Sequence, residues 1–441
     1  MDSFKLEAPD SDPNDLALQR WGIIAPAGPA GDAALAALAP LIRLREGEQA
    51  AKVKIYRNAP LQANLTDAFR WKNDIWQQEE ESERPRYLVL VGDADQLSFE
   101  LQHVLSSGAL VGRVHAPTLD GYASYAEKVV RWAQRPSTEA RPDALFFVTD
   151  DETEATAVGR ALLIEPCLEL ARAGKRFPAR EVTQLSTPQT ALDFLRAAER
   201  PAPAVLLSVS HGLGPPQRGW ADRGEQRRLQ GALLVTGEGL TAQDRLVTAE
   251  HLQGRPFLRG GLWFCLACFG AGTPRTSSFE PWLSQLQATA DYADPAARLL
   301  DRLPTGNDPP FVAALPQMAL ANPDGPLAVI GHVDLAWTYG FTDREQPTQS
   351  RAARIFSSIQ VMVRGSRAGV ALGALMRSYR QVNDELTDMY EEIEKARLWQ
   401  RPNPIRPGEL ARAFMVRNDL RGYILVGDPA VRLPLAAAPA A

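Results

Sequence analysis

Two apolar runs of this chain end in reactive side chains, 57 positions apart (268 minus 211). Ala204–Ser210 (AVLLSVS) leads into His211-Gly212, and Gly261–Ala267 (GLWFCLA) leads into Cys268-Phe269-Gly270. An apolar run of this length, bounded by glycine, reads as a strand buried on both faces of a parallel sheet. Open α/β sheets gather their ligands at the carboxyl ends of such strands, so a histidine and a cysteine placed there can meet at one site.

The same alternation continues in both directions. Trp21–Pro26 (WGIIAP), Lys52–Tyr56 (KVKIY), Tyr87–Val91 (YLVLV), Leu110-Val111, Ala144–Val148 (ALFFV), Pro326–Ile330 (PLAVI) and Tyr423–Val426 (YILV) read as further strands. Helical segments separate them. One begins near Leu119 with Tyr122, Ala126, Val129, Val130 and Ala133 on one face, one opens at Ser186-Thr187-Pro188, and Arg351–Arg397 is helical with a break near Gly365. Thr273–Pro310, rich in Pro, Asp and Ser, reads as a long insertion near the Cys268 end of the sheet. Strands alternating with helices predict an α/β fold on a mostly parallel sheet. Arg135–Pro142 reads as a linker, and residues 1–18 and 435–441 as disordered tails.

Of the 441 residues, 45% are hydrophobic and 23% charged, the balance of a soluble globular protein. A net charge of −5 argues against nucleic acid as a partner, because phosphate binding needs a basic surface. No apolar run reaches the roughly 18 residues of a membrane span. The acidic N-terminus lacks the basic and apolar regions of a signal peptide. The three cysteines, Cys167, Cys265 and Cys268, are too few for a disulfide scaffold and suit a reducing compartment. A cytoplasmic protein without a nucleic-acid or membrane partner is expected.

A thiol attacks as its thiolate, so an imidazole able to take its proton activates it. A histidine about 50 residues upstream of a nucleophilic cysteine is the caspase-type order. That order, with both residues at strand ends, makes Cys268 and His211 a candidate catalytic pair, against the alternative of an inert buried thiol. Glycine after His211 and the tight turn at Cys268 leave the Gly212 and Cys268 N–H groups accessible to an oxyanion. Asp150, Asp151 or Glu152, also at a strand end, can orient the imidazole; a helix N-cap accounts for the same triplet. Cys265-Leu266-Ala267-Cys268 invites a redox or zinc reading. Zinc needs a second ligand pair that the chain lacks, and Cys265 lies inside the strand, facing away from Cys268. Gly92-Asp93 and Gly427-Asp428-Pro429 lack phosphate-binding glycine spacing and read as turns. No cofactor or metal is implied.

Ser210-His211-Gly212 and Ala267-Cys268-Phe269-Gly270, each behind a strand, resemble the clan of caspases, gingipains and CHAT-domain proteases. The likeness to gingipain-like peptidases extends over roughly residues 20–435. It takes in Tyr87–Asp95 (YLVLVGDAD), Gly112-Arg113-Val114 before a helix with Glu127-Lys128, the strand into Asp150-Asp151, and Tyr423–Pro429 (YILVGDP). It implies a caspase-like three-layer α/β sandwich of two related subdomains, 19–135 non-catalytic and 143–434 catalytic. It further implies an endopeptidase acting on protein substrates, with His211 and Cys268 as the dyad. The segment Gly331–Trp337 would then form the primary specificity pocket, with His332 bordering it. Asp334 there either binds a basic P1 side chain or caps a local turn, leaving the pocket to Trp337. With a basic P1, Arg227-Arg228 in the polar stretch Gln217–Gln230 is a self-processing site; otherwise the stretch is a solvated connection. By analogy alone, a cytoplasmic member suits a regulatory or bacterial defence pathway and an activating sensor protein. The rival readings are a catalytically idle scaffold and a redox protein using Cys265 and Cys268.

Overall fold

The computed structural model describes residues 11–436 except 137, 175–176, 218, 238–240, 288–292, 305, 344–345 and 347. Among the described residues, ten strands form one main sheet. In chain order they are β1 Trp21–Ile24, β2 Lys54–Tyr56, β3 Tyr87–Val91, β4 Leu110–Val114, β5 Asp143–Val148, β6 Glu181–Gln184, β7 Ala204–Val209, β8 Leu262–Leu266, β9 Ala328–His332 and β10 Tyr423–Gly427. Their order across the sheet is β2-β1-β3-β4-β10-β9-β8-β7-β5-β6. Within each half the neighbours are parallel. The last strand, β10, lies between the halves and runs antiparallel to β9.

Every residue of β3, β5, β7 and β8 is buried, because helices cover both faces of the sheet. The strand period of two sorts their side chains. Val89, Phe146, Leu207 and Phe264 enter a layer that continues across both halves. On the opposite face the core is split: Leu145, Phe147, Trp263 and Cys265 lie in one cluster, Leu88, Leu90 and Val111 in another. The two halves expected as subdomains therefore share one layer and keep separate ones behind it.

The helices differ from expectation where local chemistry competes with periodicity. Leu119–Gln134 is capped by the Thr118 hydroxyl, which accepts from Gly121 N. Tyr122, Ala126 and Val129 are buried as expected, but Val130 is half-buried and Ala133 exposed. Trp132 and Lys128 take that face instead, the Lys128 ammonium donating to the carbonyls of Ala319, Leu320 and Asn322. The helix expected to open at Ser186 begins at Ala191, where Thr190 and Asp193 cap each other's backbone N–H groups. The break near Gly365 is present, between helices Ala353–Val363 and Ala368–Leu398, with Gly365 at φ +79°. The stretch Thr273–Pro310 contains two helices, Glu280–Gln287 and Ala293–Leu300.

Of the expected tails, residues 1–10 and 437–441 lie outside the described residues. The remainder is docked. Asp15 caps the helix Leu16–Gln19, Leu16 is buried, and Tyr87 Oη donates to the Pro13 carbonyl at 2.6 Å. At the other end Ala436 N donates to Glu139 O. No helix among the described residues is long and apolar enough to cross a membrane.

Candidate active site

Adjacent parallel strands place His211 and Cys268 at one level. β7 and β8 pair Val205 with Leu262 and Val209 with Leu266, an offset of 57 (262 minus 205). The same offset separates His211 from Cys268, so each lies two residues beyond the last pair, at the carboxyl edge of the sheet. Ser210 N donates to Leu266 O and carries the pairing past the strand ends. On the other side of β7, β5 pairs Val148 with Val209 and sends the chain on to Asp151. Three neighbouring strands thus supply Asp151, His211 and Cys268.

Asp151 is the member of the acidic triplet that reaches the imidazole, its Oδ2 lying 3.3 Å from His211 Nε2. Thr153 Oγ1 is 2.8 Å from the same nitrogen and donates to Asp151 Oδ1 at 2.9 Å, while Thr156 Oγ1 donates to that oxygen at 2.6 Å. Burial works to raise the Asp151 pKa, but the hydrogen bonds from Thr156 and Thr153, aided by His211, hold it below the usual carboxylate value. An ionised carboxylate only accepts, and the Thr153 proton is already directed at it. His211 Nε2 therefore carries the hydrogen in this network, and Nδ1 is left as the basic nitrogen. Asp150 points elsewhere, 3.4 Å from Arg160, and Glu152 is exposed with φ +59°. Thr153 and Thr156 gave no sequence signal, since two threonines after an acidic triplet also fit a helix start.

The Cys268 thiol is half-buried, and burial pushes its pKa up to about 11. Its hydrogen-bond partners among the described residues are both on Ala336: the N–H donates to Sγ at 3.4 Å, and Sγ lies 3.5 Å from the carbonyl. Gly212 packs against the Cys268 backbone, and neither the Gly212 nor the Cys268 N–H has a backbone acceptor among the described residues. Phe269, buried behind the cysteine, takes a left-handed φ of +55°, and its N–H donates to Asp334 O at 2.7 Å. Cys265 is buried on the opposite face, with its pKa pushed up to about 12 by burial, and all three cysteines are free thiols. That is the environment of a core residue.

The segment after β9 is arranged differently from the expected pocket. His332 does not border the cleft. It is fully buried, with Nε2 3.0 Å from Asp419 O and its ring edge-on to Tyr423. Burial pushes its pKa down to about 4, so it is neutral at physiological pH. The Asp334 carboxylate is enclosed: Ser277 Oγ lies 2.9 and 2.8 Å from its oxygens, and the N–H groups of Ser278 and Leu335 each donate at 2.8 Å. Its backbone is left-handed, φ +81°, so of the two alternatives for Asp334 the geometry is that of a turn cap. Burial raises its pKa to about 6. Asp419, which gave no sequence signal, accepts from Trp337 N at 2.8 Å and Gly340 N at 2.7 Å, and burial pushes its pKa up to about 7. Trp337 is half-buried between Phe279 and Tyr339, and its indole N–H has no partner among the described residues.

The stretch with Arg227-Arg228 is in part a helix. Arg223–Leu229 is helical, opened by Asp222, whose side chain accepts from Glu225 N. Arg227 is paired with Asp93, and Arg228 lies 3.5 Å from Glu250. Arg218, in the same stretch, lies outside the described residues. No group of three or more His, Cys, Asp or Glu among the described residues is placed to hold a metal ion.

No family model matches the chain, and no curated protein matches it. Solved structures do. One described as the structure of a protease superimposes with a TM-score of 0.51 at 13% identity, over 94% of this chain and 78% of its own. The complex of the pro- and mature domains of RgpB from Porphyromonas gingivalis gives 0.50 at 11% identity, over 94% and 79%. RgpB alone, described as the Arg-specific cysteine proteinase gingipain R, gives 0.49 at 10% identity, over 95% and 78%. The fold is caspase-like. In this caspase-like sheet the strand ends after β5, β7 and β8 are consecutive, which is why residues far apart in the chain converge on one edge.

Proposed function

We propose that the chain is a cysteine endopeptidase. Cys268 attacks the scissile carbonyl of a protein substrate, His211 Nδ1 takes the thiol proton and returns it to the leaving amine, and Asp151 with Thr153 holds the imidazole in that tautomer. The N–H groups of Gly212 and Cys268 receive the oxyanion. The observation that carries this reading is the convergence of Asp151, His211 and Cys268 from three adjacent strand ends, beside two N–H groups that have no backbone acceptor among the described residues. The enclosed Asp334 carboxylate supports a P1 pocket set by Trp337, Phe279 and Tyr339 rather than by a buried charge. We further propose activation by a partner protein in the cytoplasm; the thiol, engaged with Ala336 rather than with the imidazole, fits a latent resting state. The test is hydrolysis of a fluorogenic peptide library by wild type, Cys268→Ala and His211→Ala. Each substitution abolishes turnover by about 10³-fold or more while the fold persists. Undiminished hydrolysis by Cys268→Ala refutes the proposal, and a catalytically idle scaffold hydrolyses nothing in any form.

A further inference from the structure

The turn Gly92-Asp93 closes β3 in the half of the molecule that carries neither His211 nor Cys268, yet its carboxylate reaches into the other half. Asp93 is buried and uses its two oxygens separately. Oδ1 accepts from Val312 N at 2.8 Å, as well as from Ala94 N at 2.8 Å within its own turn. Oδ2 is paired with Arg227, and His115 Nε2 lies 3.6 Å from it.

Those two partners belong to the two segments that flank the dyad. Val312 pairs with Gly272, and Ala313 N donates to Ala271 O, three residues beyond Cys268. Arg227 lies on the helix that runs into Gly231, whose N–H donates to Leu213 O. Leu213 N donates in turn to Ala232 O, and Leu234 N to His211 O, so residues 231–234 form a rail along His211–Leu213. The rails also touch: a side-chain carbon on Gly231, at φ +86°, would lie 2.3 Å from Phe269 O. Phe311, next to Val312, packs under the guanidinium groups of Arg223 and Arg227, at 5.8 and 5.1 Å.

We propose that Asp93 is a positioning residue for the Cys268–His211 pair, with Oδ1 fastening the strand beyond the cysteine and Oδ2 fastening the helix beyond the histidine. One carboxylate thereby sets the spacing of two segments whose anchor residues, Arg227 and Val312, are 85 positions apart in the chain (312 minus 227). Burial acts to raise the Asp93 pKa, but His115, Arg227 and the Val312 and Ala94 amides outweigh it, so the group stays ionised and accepts at both oxygens. The half of the chain without the dyad then has a defined task, which is to hold the geometry of the edge opposite it. This inference deepens the peptidase reading and rests on it only for the catalytic readout.

The experiment compares wild type, Asp93→Asn, Arg227→Gln and the double variant by amide hydrogen exchange over 211–213 and 271–273, and in parallel by kcat and KM. Asp93→Asn is expected to speed exchange in both segments, since their protection depends on local opening, by about tenfold. Arg227→Gln speeds it at 211–213, and the double variant is no looser there than Asp93→Asn, because the two residues act through one contact. The same variants lower kcat about 100-fold with little change in KM, as expected of a misplaced catalytic group. Wild-type exchange in both segments of Asp93→Asn overturns the proposal, as does strict additivity of the two substitutions at 211–213. If Asp93→Asn does not fold, Arg227→Gln decides alone, since its side chain is one-third exposed and its loss leaves the core intact. The exchange readout needs neither substrate nor activator, so its outcome stands apart from that of the peptidase test.

Discussion

A side-chain carbon on Gly212 would lie 1.8 Å from the carbonyl oxygen of Cys268. No rotation of a side chain relieves that contact, since both partners are backbone, so position 212 admits only glycine while the two strand ends keep their register. The closeness that excludes a side chain also brings the Gly212 N–H beside the cysteine. Gly212→Ala is therefore expected to displace one oxyanion donor and lower kcat by about 10²- to 10³-fold. Steady-state kinetics with circular dichroism as a fold control checks this, and a kcat within a few-fold of wild type contradicts it.

The role of Asp151 gives a second expectation. Asp151→Asn removes the acceptor that fixes the Nε2–H tautomer while leaving the shape of the site, and is expected to reduce kcat by about 10³- to 10⁴-fold. Asp150→Asn, whose carboxylate faces Arg160 and solvent, is expected to stay near wild type. Reversed effects would move the orienting role to Asp150.

The thiol itself predicts a pH dependence. Its pKa is raised to about 11 by burial, so below that pH the resting thiol is protonated, and the thiolate fraction grows only as pH climbs toward 11. Alkylation of Cys268 by iodoacetamide should accelerate about tenfold per pH unit from 7 to 10, because only the thiolate reacts. A rate plateau between pH 5 and 8 would show a preformed thiolate–imidazolium pair and contradict the geometry with Ala336.

Specificity supplies a fourth test. Trp337→Ala is expected to change the ranking of P1 residues in a peptide library. Asp334→Asn is expected to lower activity evenly across P1 residues, because the carboxylate holds Ser277, Ser278 and Leu335 in place. A selective loss of Arg and Lys cleavage in Asp334→Asn would restore the basic pocket.

Much of this architecture was legible in the chain. The runs ending at His211 and Cys268 are strands because each is mostly apolar and followed closely by glycine, and their separation equals the register offset of β7 and β8. The acidic triplet lies at the strand end beside His211, but that Asp151 is its member near the imidazole emerges only from the placement of Thr153 and Thr156 in three dimensions. The segment after β9 is less legible. His332 and Asp334 carry the same polar signature whether they face a cleft or a core, and burial decided for the core. The helix at Arg223–Leu229 was hidden by its charge, since the contact that fixes it, Arg227 to Asp93, spans 134 positions (227 minus 93). Docking of residues 12–18 rests on hydrogen bonds to Tyr87 and Arg367, which no local pattern announces.

The most direct measurement of the central claim is mass spectrometry of the chain after reaction with a peptidyl acyloxymethyl ketone. The account predicts a single covalent adduct on Cys268, formed by wild type and lost or greatly slowed in His211→Ala and Asp151→Asn. An adduct on Cys265, or labelling of Cys268 at the same rate without His211, would contradict it.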